Sequence, residues 1–124
     1  MEPLILIVED DEASFLYLES VLRRINVSVM HAENGFGALN LIHNQAIAIV
    51  LMDLKMPGMD GFEATKRIKA LKPDLPVIAI TAYAMSGDEK RALDAGCDDY
   101  LTKPLKKEML FSKLELFGMT NLFR

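Results

Sequence analysis

Three short, uninterrupted apolar runs stop on residues that carry chemistry. Leu4 to Val8 runs into Glu9, Asp10 and Asp11; Ile47 to Met52 runs into Asp53; Pro76 to Ile80 runs into Thr81. A fourth stretch, Asp99-Tyr100-Leu101-Thr102, delivers Lys103-Pro104. A run without polar alternation is the mark of a strand buried on both faces, as in parallel sheets. If these runs are neighbouring parallel strands, their carboxyl ends meet at one edge of the sheet, where open α/β folds place their ligands. Glu9, Asp10, Asp53, Thr81 and Lys103 then share one pocket. Acids that close repel one another, and one is pushed toward protonation unless a cation sits between them. A hard divalent ion with oxygen ligands suits such a cluster.

The segments between the runs read as helices. Asp11 is placed to cap a helix over 12–25, in which Leu18, Val21, Leu22 and Ile25 fall at i, i+3, i+4 and i+7. A short strand over 27–31 follows, and Asn34-Gly35 turns the chain into a helix over 36–43 carrying Ala38, Leu39 and Ile42. Met56-Pro57-Gly58 punctuates a loop, after which Asp60 and Glu63 form a capping-box pair for a helix over 61–71. Ser86 and Glu89 form another such pair, opening a short helix to Ala95 that only Ala92 and Leu93 anchor and that Gly96 ends. A final helix over 106–117 buries Leu110, Leu114 and Phe117, and the tail from Met119 is expected to fray. Five strands alternating with five helices imply a doubly wound parallel sheet covered on both faces, with right-handed crossovers.

At 124 residues and 51% apolar content, the chain suits one domain, 1–124, with a proper core. A net charge of -4 argues against non-specific nucleic-acid binding. The lone Cys97 forbids an internal disulfide, no apolar run approaches membrane-spanning length, and Met1-Glu2-Pro3 lacks the basic start of a signal peptide. The expectation is a cytoplasmic domain with no membrane contact. Cys97 reads as a small packed hydrophobe, His31 and His43 as structural or surface residues, and Met52, Met56 and Met59 as packing.

Taken in order, Glu9-Asp10, Asp53, Met56-Pro57-Gly58-Met59-Asp60-Gly61, Thr81-Ala82 and Tyr100-Leu101-Thr102-Lys103-Pro104 resemble the receiver domain of two-component response regulators over essentially the whole chain. The resemblance implies a flavodoxin-like fold with strand order 2-1-3-4-5. It implies that Asp53 accepts a phosphoryl group from a phosphohistidine on a sensor histidine kinase or a histidine phosphotransfer protein. It further implies Mg2+ (or Mn2+) held by Glu9 and Asp10, with Asp10, Asp53 and the Lys55 backbone carbonyl as direct ligands. Thr81 and Lys103 are implied as binders of the phosphoryl oxygens, Thr81 and Tyr100 as switch residues, and Lys103-Pro104 as a cis peptide. A downstream protein is expected to bind the face formed by residues 86–117, where Arg91 is taken as an exposed position independent of Asp53.

The chemistry suits these residues. A carboxylate attacking phosphorus approaches a group already rich in negative charge, so positioning and charge neutralisation carry the reaction. Lys103 supplies a compact positive charge and Thr81 a hydroxyl donor. The product stays on the protein, so the chain is read as a signalling receiver and not as an enzyme acting on an outside substrate. Two rivals share the fold or the strand-end aspartate. A flavin-binding electron carrier needs small and hydroxyl residues after the first strand, where this chain has Glu-Asp-Asp-Glu. An aspartyl-phosphate hydrolase usually carries a second Asp two positions on, where this chain has Lys55. Taken singly, each residue also has a plain reading: Asp53 as a strand terminator, Thr81 as a β-branched strand residue, Tyr100 as a rim tyrosine and Lys103 as a solvated charge. For Asp53, its register with Glu9-Asp10 and Lys103 reverses those odds.

Overall fold

A computed structural model of the chain describes residues 2–82 and 87–119. Within them the elements run β1 (Leu4–Val8), α1 (Glu12–Leu22), β2 (Ser28–Ala32), α2 (Gly35–Asn44) and β3 (Ile49–Asp53). They continue with α3 (Gly61–Leu71), β4 (Val77–Thr81), α4 (Asp88–Ala95), β5 (Asp99–Thr102) and α5 (Lys107–Leu116). The strands are all parallel, in the order β2-β1-β3-β4-β5. No helix among the described residues is long and apolar enough to cross a membrane.

β1, β3 and β4 are buried almost throughout, as continuous apolar runs require. Alternation along them divides the core into two layers. Leu6, Val8, Val50, Met52, Val77 and Ala79 pack with residues of α2, α3 and α4, including Ile42, Ile68 and Ala92. Ile5, Ile7, Ile49, Leu51, Ile78, Ile80 and Leu101 pack against α1 and α5 through Leu18, Leu22, Leu110 and Leu114. The helix starts follow local chemistry. Asp11 accepts from the Ser14 N–H at 2.9 Å, Asn34 from Gly37 at 2.8 Å and Asp60 from Glu63 at 2.9 Å. Each satisfies one N–H that the first turn leaves open.

Several sequence expectations need correction. α1 stops at Leu22, although Ile25 is buried as its spacing requires. β2 and β3 are displaced toward the carboxyl end, and β3 starts at Ile49 instead of Ile47. The Glu63 side chain pairs with Arg67 one turn on, at 3.1 Å, instead of closing a capping box. Ser86 lies outside the described residues; the position before α4 is Gly87, with φ 80° and no side-chain cap. The buried stripe of α4 is Asp88, Ala92 and Ala95, at i, i+4 and i+7, while Leu93 is 48% exposed. Neighbouring positions on a helix lie on different faces, so Ala92 and Leu93 cannot both anchor it. Met119 is buried in the α1/α5 layer, its N–H bonded to the Leu114 carbonyl after Gly118 turns the chain at φ 88°. The rest of the tail, residues 120–124, lies outside the described residues.

Candidate functional site

The parallel register brings the strand ends level. Val8 lies opposite Met52, Asp53 opposite Ile80, and Thr81 opposite Thr102. One residue further, the Glu9 N–H bonds to the Ala32 carbonyl at 3.0 Å and the Lys103 N–H to the Thr81 carbonyl at 2.8 Å. The ladder therefore holds Glu9 and Lys103 at the sheet edge together with Asp53. Glu9, Asp10 and Asp53 each offer a carboxylate oxygen, all within 4.8 Å of one another. Glu9 and Asp53 are buried and Asp10 is exposed.

Two of the three carboxylates accept from backbone. The Lys55 N–H donates to Asp53 Oδ1 at 3.1 Å, and the Asp11 N–H to Glu9 Oε2 at 3.3 Å. His31 Nε2 lies 2.8 Å from the Glu9 carbonyl oxygen, which can only accept, so that nitrogen carries the proton. The His31 ring stacks on Phe15 at 3.7 Å, giving this histidine a bracing role under the site. Behind Asp53, α3 comes in at Gly61. A Cβ there would run into the Asp53 carbonyl oxygen and lie 2.7 Å from the Leu54 Cα. Only glycine allows α3 to begin this close to the end of β3.

Burial raises the Glu9 carboxyl pKa, and the neighbouring Asp53 raises it further. The Asp11 N–H and the Lys103 ammonium, 3.4 Å from Glu9 Oε1, act in the opposite sense. One lysine thus stands against three clustered acids. Two of the acids are buried, where charge is costly unless compensated. The donor set is all oxygen and comes from two adjacent strand ends, which fits a hard divalent cation better than a soft or nitrogen-seeking one. The Lys103-Pro104 peptide is cis. Beyond it a cleft of about 420 Å³, lined by Glu9, Ser14, Tyr17, Lys103 and Leu105 among others, opens between α1 and the β5–α5 connection. The Tyr17 hydroxyl closes one side of it with a 2.7 Å bond to the Leu105 carbonyl.

Thr81 and Tyr100 stand apart from this cluster for a simple reason. Glu9, Asp53 and Lys103 share the alternation phase of Ile7, Leu51 and Leu101, which face α1 and α5. Thr81 has the phase of Ala79, which faces the α4 layer, and so does Tyr100, which packs against that layer. Thr81 is fully buried, and its hydroxyl donates to Asp88 Oδ2 at 3.3 Å. Tyr100 is half-buried; the Glu89 carboxylate accepting from its hydroxyl pushes the phenol pKa up. Lys55 reaches the same cluster, its ammonium 3.3 Å from Asp88 Oδ2. Arg91 is exposed, yet it lies 3.7 Å from Asp88 Oδ1 and 4.0 Å over the Phe62 ring, so it is not independent of the interior.

Asp88 is the residue that the sequence reading missed. It is 2% exposed and joins Thr81, Lys55 and Arg91. The available signal was an acid in line with Ala92 and Ala95 on the buried stripe of a helix that follows Thr81.

The chain matches the response regulator receiver domain family over residues 5–115. It is 39% identical over 113 residues to the sensor protein GacS of Pseudomonas syringae pv. syringae, an alignment covering 87% of this chain and 12% of that protein. It is also 39% identical to the transcriptional regulatory protein ZraR of Klebsiella oxytoca, covering 90% of this chain and 24% of the relative. The chain therefore spans only a small part of these relatives. Among solved structures it is similar to the receiver domain of a sensor histidine kinase from Pseudomonas aeruginosa, determined with a magnesium ion coordinated in the active site cleft. The TM-score is 0.88 at 34% identity, covering 96% of this chain and all of that one.

Proposed function

The chain belongs to the response regulator receiver domain family of two-component signalling, and on that premise we propose that Asp53 is its phosphoacceptor, with residues 1–124 acting as one receiver domain. The observation that carries this reading is the placement of Asp53. It is a buried carboxylate level with Glu9 and Asp10 and in the same strand phase as Lys103. A Glu9 and Asp53 pair without compensation would resist accepting more negative charge.

In the proposed reaction a carboxylate oxygen of Asp53 forms a bond to phosphorus as the phosphorus–nitrogen bond of a donor phosphohistidine breaks. The imidazole leaves with that electron pair. The Lys55 N–H on Asp53 Oδ1 restrains the carboxylate at the end of β3. Lys103 is near enough to the cluster to pair with a phosphoryl oxygen, and Thr81, at the end of the next strand, would turn its hydroxyl from Asp88 to donate to another. Glu9, Asp10, Asp53 and the Lys55 carbonyl would hold Mg2+ or Mn2+, which when bound neutralises charge between the aspartate and the incoming phosphoryl oxygens. The product remains on the chain, so the catalysis is confined to the chain's own phosphorylation and dephosphorylation.

The kinship with GacS supports a sensor histidine kinase or histidine phosphotransfer protein as the donor. The link from Thr81 through Asp88 to α4, and from Tyr100 to Glu89, supports a downstream protein that reads α4, β5 and α5. A protein partner in the cytoplasm, without nucleic acid or membrane, is the corresponding proposal. Family membership favours this reading over a flavin carrier or a phosphate-ester hydrolase. The test is labelling with acetyl phosphate in Mg2+. Wild-type protein should gain one phosphoryl group and Asp53→Asn none; undiminished labelling of that variant would refute the assignment.

A further inference from the structure

We infer that Asp88 is a positioning residue that competes with the phosphoryl group for Thr81 and Lys55, and so sets how readily the phosphorylated state forms. This rests on the reading of Asp53 as phosphoacceptor. Asp88 is the first residue of α4, yet its side chain turns inward and is 2% exposed. Its Oδ2 receives the Thr81 hydroxyl at 3.3 Å and stands 3.3 Å from the Lys55 ammonium, while Oδ1 faces Arg91 at 3.7 Å.

A hydroxyl and an ammonium are the donors that an anionic phosphoryl oxygen also takes. Both are carried by the segments that bound the site, Thr81 at the end of β4 and Lys55 two residues beyond Asp53. In the structure they are committed to the Asp88 carboxylate. If either turns to a phosphoryl group on Asp53, Asp88 loses a partner. If both turn, only Arg91 at 3.7 Å is left of the three. A buried carboxylate stripped in this way is costly, and the cost falls when the carboxylate moves toward water. Since Asp88 opens α4, that relief displaces the first turn of the helix. One carboxylate thus opposes phosphorylation and transmits it, through the same two contacts.

Two states of unequal affinity for the phosphoryl group follow, and removal of Asp88 should shift their balance. The test is titration with beryllofluoride, a phosphoryl mimic, at saturating Mg2+, with binding read by amide NMR shifts around Asp53. Asp88→Ala and the near-isosteric Asp88→Asn should each bind beryllofluoride at least threefold more tightly than wild type, with Mg2+ affinity unchanged. A merely structural role predicts weaker binding, never tighter. In a Thr81→Ala background the gain from Asp88→Ala should shrink, because one of the two competed donors is gone. Should Asp88→Ala fail to fold, Asp88→Asn decides alone. Equal or weaker beryllofluoride binding by the folded variants, with wild-type protein binding normally, overturns the role of Asp88 and leaves Asp53 as phosphoacceptor. Failure of wild-type protein to bind beryllofluoride overturns both.

Discussion

The Lys103 ammonium stands 3.4 Å from the Glu9 carboxylate, joining residues 94 positions apart in sequence. Among the described residues it is the one cation in an ion pair with an acid of the cluster. If Lys103 offsets the cluster and later meets the phosphoryl group, its removal should have two opposite effects. Lys103→Ala should bind Mg2+ about fivefold more tightly, on the order of 1 kcal/mol, because one repelling charge is gone. The same variant should bind beryllofluoride more weakly. Isothermal titration of both ligands checks this, and an unchanged Mg2+ affinity would show that Lys103 and the metal ligands are uncoupled.

Mg2+ should stabilise the fold, because it binds the assembled cluster and not the unfolded chain. At a hundredfold excess over Kd the gain should be roughly 2.7 kcal/mol. Glu9→Gln and Asp10→Asn should each lose most of it. Urea unfolding in chelator and in saturating Mg2+ measures the difference; coincident curves for the wild type would count against a metal held by these acids.

Gly61→Ala should be costly out of proportion to one methyl group. The added carbon meets backbone at the end of β3, which cannot rotate away as a side chain does. Overpacking of this kind costs about 1–3 kcal/mol, and the displaced segment carries Asp53. Denaturant unfolding should report the loss, and Mg2+ affinity should fall with it. A variant of wild-type stability and Mg2+ affinity would mean that α3 can draw back freely.

Cys97 is buried against Thr65, its thiol 3.6 Å from the Thr65 hydroxyl, and burial raises its pKa. A raised folded-state pKa means that the native state holds the proton more tightly than the unfolded chain. Its contribution to stability is therefore complete below the unfolded thiol pKa, about 8.5, and is lost as pH rises through the higher folded value. Alkylation at pH 8 should be slow in native protein and rapid in urea. The Cys97→Ala variant should lose less stability than wild type between pH 8.5 and 10, and identical pH slopes would contradict the burial argument.

Much of this was legible because strands buried on both faces leave a plain mark. The runs before Glu9, Asp53 and Thr81 located β1, β3 and β4, and the parallel alternation put their ends together. Caps at Asp11 and Asp60 were equally readable, since the bonds they make span three residues. Contacts spanning the fold were not. His31 bracing the Glu9 carbonyl and Tyr17 reaching Leu105 depend on where crossovers land, and nothing local encodes them. α4 was misread at Leu93 because eight residues make little more than two turns, too few to fix the phase of a buried stripe. Asp88 was overlooked for the opposite reason. An acid in the first turn of a helix has an ordinary explanation in the helix dipole, and its inward turn appears only in three dimensions.

The alternation that sends Asp53 to one side of the sheet and Thr81 to the other makes spacing a kind of information separate from residue identity. A strand has only two phases. Deleting one residue early in β4 would leave the composition, the charge and the helices as they are, while exchanging the faces onto which Ile80 and Thr81 project. The hydroxyl would leave the α4 face, and Ala82 would take its place at the strand end. Such a chain would keep all the residues of the acid cluster yet have no hydroxyl beside the carboxylate at the start of α4. In this protein, whether the strand-end chemistry is connected to the α4 surface is decided by whether a count is odd or even.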